Sequence, residues 1–190
     1  MTGKPGWLDP SAPPGARAPI FPSLLGAGFD GLDSRVAAVH GGGGRRLRGR
    51  VSVRRGPSWA ARMLAAAASL PPTLRDVPLE VQIESDADGE RWTRIFDHAH
   101  RMRTALRTRG ATLVESLGPV SLRFHLSVEN GGMRWTLVHV TAAGLPLPLR
   151  WFDVTALIDA AGDRYHFAVG AALRGVGAVV HYEGTLDAAG

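Results

Sequence analysis

The stretch LEVQIESDADGERWTRIF, residues 79 to 96, decides how this chain folds. Apolar and polar residues alternate on both sides of the turn at Asp86 to Gly89. That is the period of two of a strand with one buried face, not the 3.6 of a helix. Pairing Ser85 with Glu90 sets Ile83 beside Trp92, Val81 beside Arg94 and Leu79 beside Phe96. A slip of one residue would put Gln82 against Trp92, so the first register is the one that buries apolar side chains. It leaves Arg94 as a lone cation in an apolar row.

The same period continues downstream. MRTALRT (102–108), ATLVES (111–116), SLRFHLSVE (121–129), MRWTLVHVT (133–141), WFDVTALID (151–159), RYHFAVGAA (164–172) and AVVHYEGTL (178–186) are short alternating segments separated by turn signals. With LRGRVSVR (47–54) they give nine or ten strands, and connections this short imply antiparallel neighbours. A meander of this length curls, because wide twisted sheets close or split. The expected fold is mainly β, of the α+β class: a long antiparallel meander curled into a partly closed barrel, with two or three helices at one end or edge.

Upstream of the strands, the composition changes. Residues 1–20 form a proline- and glycine-rich tail or arm, from which Trp7 and Leu8 could dock, as could Ile20 and Phe21 just beyond. Ser23 can cap a short helix through Phe29, and Asp33 another through His40. The run Gly41 to Gly44 then stops the chain; it follows a helix and lacks a phosphate loop's lysine. Ser58 starts WAARMLAAAASL, apolar nearly all round, which predicts a helix buried on a sheet or plugging a barrel end. The single domain spans 21–187, and 188–190 are a C-terminal end.

Composition bounds the function classes. The 190 residues contain no cysteine, which removes disulfides, thiolate metal sites and cysteine nucleophiles. No apolar run approaches the ~18 residues of a membrane span, and no secretory pattern opens the chain, so a cytoplasmic protein is expected. The net charge is +5, and every basic residue except Lys4 is arginine. Arg45, Arg46, Arg48, Arg50, Arg54 and Arg55, and again Arg101, Arg103, Arg107 and Arg109, have the spacing of a strand's solvent face. Few aromatics accompany them, which argues against a nucleic-acid track. GxSxG is absent, and Gly26, Gly28 and Gly31 follow no strand, so neither a hydrolase elbow nor a dinucleotide fingerprint is present. His98 and His100 have ligand spacing but sit in a turn with no third ligand. No cofactor or metal is expected.

Hairpin parity gives the inward polar set. A turn at Asn130 to Gly132 puts Phe124, Leu126 and Val128 beside Trp135, Leu137 and His139, so His139 is expected inside. The turn at Ala161 and Gly162, followed by one near Gly175, points Tyr165, Phe167 and Tyr182 inward. Thr104 and Glu115 join them. A buried guanidinium demands a partner, either the Glu115 carboxylate or an anionic group of a ligand. Arg94, His139 and Tyr182 are the candidate catalytic groups: a charge to hold a developing anion, a group that moves protons near neutral pH, and a donor to oxygen. Trp92, Thr104, Glu115, Phe124, Trp135, Tyr165 and Phe167 are the candidate substrate contacts.

The segments GERWTRIF (89–96), ESLGPVSLRF (115–124), GGMRWTLV (131–138), GLPLP (144–148) and HYEGTL (181–186) carry a resemblance. Through them the stretch from Phe21 to Asp187 resembles a bacterial domain-of-unknown-function family, the 4166-type domain. Asp97 to His100 and Thr185 depart from the family pattern. The resemblance implies a domain often fused behind saccharopine-dehydrogenase-like or epimerase-like Rossmann enzymes, and so a Rossmann-type partner. The residues themselves point to a pocket for a hydrophobic small molecule, used by a cofactor-independent cyclase or isomerase. The alternatives are a non-catalytic carrier or sensor, and a module docking on a separate Rossmann enzyme.

Overall fold

The computed structural model describes residues 18–187. Alternation along the chain produces eleven strands among them, each turning where glycine, proline or a short polar residue interrupts the pattern. They are β1 (Arg45–Arg55), β2 (Leu74–Asp86), β3 (Gly89–Phe96), β4 (His100–Arg109), β5 (Thr112–Leu117), β6 (Val120–Glu129), β7 (Gly132–Ala142), β8 (Leu145–Leu147), β9 (Phe152–Ala161), β10 (Arg164–Leu173) and β11 (Gly177–Leu186). All pairings are antiparallel. Neighbours run β6-β5-β4-β3-β2-β1-β11-β10-β9-β7, and β6 pairs again with β7. Ten strands therefore close on themselves, and β8 is appended outside the ring on β7. The partial closure expected from sequence is a complete one.

The expected registers of the first hairpin hold residue for residue: Ser85 faces Glu90, Ile83 faces Trp92, Val81 faces Arg94 and Leu79 faces Phe96. The β6–β7 hairpin turns on Asn130 and Gly131, both at positive φ (51° and 78°), the backbone that Asn-Gly supplies most cheaply. Inward rows from all ten strands merge into one core, in which Phe96, Phe124, Met102 and Leu106 are fully buried. Arg94 apart, most strand arginines face water, and several meet carboxylates there, as in Arg50–Asp76 at 2.7 Å and Arg46–Glu80 at 3.2 Å.

Three helices close the ends. Helix α1 (Ile20–Leu25) and a 3₁₀ turn (Gly26–Gly31) lead into α2 (Ser34–His40), and Asp33 caps α2 by accepting from the Arg35 backbone N–H. This pair plugs the end carrying the β2–β3, β4–β5 and β6–β7 turns. Phe21 of α1 packs on both Trp92 and Trp135, with ring centroids 6.3 and 5.8 Å away. The buried Glu90 carboxylate accepts from the Trp92 indole N–H at 2.9 Å and from the Ile20 backbone N–H, so it pins the first turn of α1 to the barrel.

Two helix expectations are corrected. Ser23 lies inside α1, not before it, and its hydroxyl donates to the Ile20 carbonyl at 2.8 Å. Pro19 stands at the N-cap, because a fixed proline φ fits that position while the buried Ile20 and Phe21 drive the turn inward. Helix α3 (Trp59–Ala67), capped by Ser58 as expected, is not buried all round. It turns the small Ala61 and Ala65 to the barrel and Trp59 to solvent. The proposed arm and the C-terminal end, with Trp7 and Leu8, lie outside the described residues. Ile20 and Phe21, by contrast, dock.

Candidate functional site

Three adjacent strands bring the inward polar groups together. Arg94 on β3, Thr104 on β4 and Glu115 on β5 occupy inward positions, with Trp92 opposite Thr104 and Leu106 opposite Glu115. The Arg94 guanidinium donates from Nη1 to Thr104 Oγ1 at 3.1 Å. Its distance to Glu115 Oε1 is 3.9 Å, and both side chains are 13% exposed. The guanidinium carbon lies 5.2 Å from the centre of the Trp92 ring, within cation–π range.

Arg94, Glu115 and Trp92 line a cavity of about 200 Å³ in the barrel. Its wall is otherwise apolar, built from such residues as Phe124, Phe167 and Trp135. Drug-sized pockets span roughly 300–1,000 Å³, so this one holds a small apolar molecule or one arm of a larger one. Tyr165 and Tyr182 also line it. Thr104 reaches it through its bond to Arg94.

His139 is the exception. A bulge at Val138 shifts the β6–β7 register: Phe124 faces Leu137, but Arg123 faces His139 and Leu122 faces Val140. The extra residue reverses the parity of everything after it. Val140 is therefore fully buried, and His139 sits opposite Arg123, off the cavity. The histidine that does line the cavity is His40, the last residue of α2, which is 1% exposed. Its Nε2 is hydrogen-bonded to the Tyr165 hydroxyl at 3.1 Å, and its ring packs on Phe21 at 4.2 Å. The signal for it lay in the sequence: Val36, Val39 and His40 fall on one face of the Asp33-capped helix.

Burial pushes nearly every ionisable group here toward its neutral form. His40 is lowered to about 3, first by desolvation and then by the positive charge of Arg94. Tyr182 is pushed up to about 12 by burial, against the opposing pull of Arg94. Tyr165 moves up for the same reasons. The Glu115 carboxyl is raised by desolvation, partly offset by Arg94 and by the Thr104 hydroxyl. A guanidinium cannot shed its proton in this way, so Arg94 is the persistent charge of the site. Two buried nitrogens on cavity-lining residues, His40 Nδ1 and Trp135 Nε1, have no partner. Unpaired polar atoms in such a wall are costly unless a bound molecule or water meets them.

Together these features define a closed antiparallel β-barrel with an internal apolar cavity and one buried arginine–carboxylate pair. Residues 32–186 match the family described as a domain of unknown function, DUF4166. The chain belongs to that family. No curated protein and no solved structure matched it.

Proposed function

We propose that the barrel binds a small apolar molecule carrying one oxygen-rich head group, held at Arg94. The observation that carries this reading is the cavity itself: an apolar wall around a single persistent cation whose carboxylate partner stands at 3.9 Å. A carboxylate, enolate or carbonyl oxygen placed there would receive the guanidinium N–H groups and, from the other side, the Tyr182 hydroxyl.

The same geometry supports a cofactor-independent isomerase or cyclase. Glu115, with its affinity for protons raised by burial, suits proton transfer at a carbon next to a carbonyl held by Arg94. The proton taken from one carbon would return to another, with no net change in oxidation. A cyclase would use the closed wall to fold a flexible chain. One feature favours the carrier alternative: burial of the His40 ring disfavours its protonated form, which makes it a poor proton shuttle near neutrality. The unfilled interior supports either reading over a module whose whole purpose is to dock on a Rossmann enzyme.

Native mass spectrometry of the freshly purified chain tests the proposal. A retained organic mass that Arg94→Ala loses supports ligand binding at this site. Incubation of the captured molecule then separates the readings: conversion supports the enzyme, and recovery unchanged supports the carrier. Retention unaffected by Arg94→Ala would refute the placement of the head group.

A further inference from the structure

The end of the barrel opposite α1 and α2 is ringed by apolar side chains that nothing among the described residues covers. Helix α3 leaves Trp59 71% and Met63 65% exposed, one turn apart on its outward face. The β7–β8 hairpin presents Leu145, 69% exposed, and the 3₁₀ turn Leu149–Trp151 presents Trp151, 44% exposed. Two hydrogen bonds join these elements into one rim. The Arg174 backbone N–H donates to the Trp151 carbonyl at 2.7 Å, and the Ser58 hydroxyl donates to the Val176 carbonyl at 3.3 Å. The β10–β11 turn thus lies between Trp151 and Trp59. Leu64 of α3 both lines the cavity and is 40% exposed, so this rim is where we place the cavity's mouth.

The charge nearest the rim's apolar side chains is positive. Residues 59–70, 143–151 and 173–178 contain Arg62, Arg150 and Arg174, all exposed, and no aspartate or glutamate. Asp97 and Asp153 flank the rim from neighbouring segments. Tryptophan with arginine is the pairing found where proteins rest in the headgroup layer of a membrane. The apolar groups here stand on separate protruding elements around an opening, which a deformable lipid surface accommodates.

We propose that this rim docks on an anionic lipid bilayer. Trp59, Met63, Leu145 and Trp151 enter the headgroup layer while Arg62, Arg150 and Arg174 meet lipid phosphates. The mouth of the cavity then faces the acyl chains, which makes an amphiphile drawn from the membrane the class of molecule that enters. That last point rests on the ligand-binding reading above; the docking does not. No helix among the described residues is long and apolar enough to cross a bilayer.

Flotation of the full chain with phosphatidylglycerol-containing vesicles, against pure phosphatidylcholine vesicles, is the test. The expected result is partition onto the anionic vesicles that weakens with salt. Reversing Arg62, Arg150 and Arg174 to glutamate reduces it by at least about fivefold for each arginine. Trp59→Gln with Trp151→Gln reduces it again, and both variants melt like the parent because the positions are exposed. Arg107→Glu with Arg109→Glu, at the opposite end, changes it by no more than about twofold at ~0.1 M salt. Absence of binding to anionic vesicles at low salt, or an equal loss in the opposite-end variant, overturns the proposal. So does self-association that the rim substitutions abolish, which would assign the rim to a protein contact. Vesicle binding by a chain that carries no ligand would overturn the ligand reading alone.

Discussion

Arg94 on β3 and Glu115 on β5 reach toward each other across β4 with 3.9 Å between their nearest charged atoms, a separation that leaves the pair attracted but not hydrogen-bonded. Their responses to loss of the partner are unequal. A carboxyl left alone in the barrel takes up a proton and becomes neutral; a guanidinium left alone keeps its charge. Glu115→Leu is therefore expected to cost about 3 kcal/mol of stability, and Arg94→Met about 1 kcal/mol or less. Urea unfolding of both variants and of the double variant checks this, and the double variant should lie nearer the parent than Glu115→Leu does. Equal losses in the two single variants would contradict the account.

His40 makes stability depend on pH. Its folded value of about 3 lies below the ordinary 6.5, so the unfolded chain binds the proton that the native ring refuses. The contribution is complete above about pH 6.5 and is lost as pH falls toward 3. Between pH 7 and 5 the loss is about 2 kcal/mol. His40→Gln should flatten that slope while the acid limb below pH 5, where carboxylates such as Asp33 and Asp76 titrate, remains. A slope between pH 7 and 5 unchanged by the substitution would show that another group sets it.

Gly184 is an inward position where β11 crosses β1. A Cβ there would lie 2.2 Å from the Arg50 carbonyl oxygen and 3.0 Å from the edge of the Phe167 ring. The first contact is with backbone and cannot swing away. Gly184→Ala is expected to destabilise by about 3 kcal/mol or more, through forced separation of the two strands. A thermal melt within a degree or two of the parent would be incompatible with this packing.

The bulge at Val138 makes a contrast between sequence neighbours. His139→Ala should change stability by no more than about 0.5 kcal/mol and leave ligand retention intact, while Val140→Ala costs about 2 kcal/mol. Paired melts and native mass spectra of the two variants decide it. Loss of the retained mass in His139→Ala would return that residue to the site.

Most of the barrel was legible because burial on one face imprints a period of two. Leu79 to Phe96 carried its register openly and so placed Trp92 and Arg94 inward, and the alternation of the following segments put Thr104 and Glu115 on the same side. His139 was misread because a bulge adds a residue without any composition of its own; Thr136 to His139 reads as an uninterrupted strand. His40 was overlooked because it closes a short helix that looks peripheral, and only three-dimensional closure shows α2 to be a plug. In α3 the error was one of size. Five small alanines beside Trp59 and Met63 read as an apolar cylinder, yet close approach to the barrel selects alanine and turns the large side chains away. The pairing of β6 with β7 completed the ring by an ordinary hairpin, so nothing local announced that it was the last seam.

The seam has a consequence for life at high concentration. A curled but open sheet would offer two long rows of unpaired backbone groups on which another chain could add a strand. Here each of the ten ring strands pairs with a neighbour on both sides over at least part of its length, and the one appended strand among the described residues is Leu145–Leu147. It is three residues long, with Pro146 at its centre, which lacks the N–H that a growing ladder needs. Templated polymerisation through sheet edges therefore has few places to start, and growth by strand addition should require prior unfolding of the barrel.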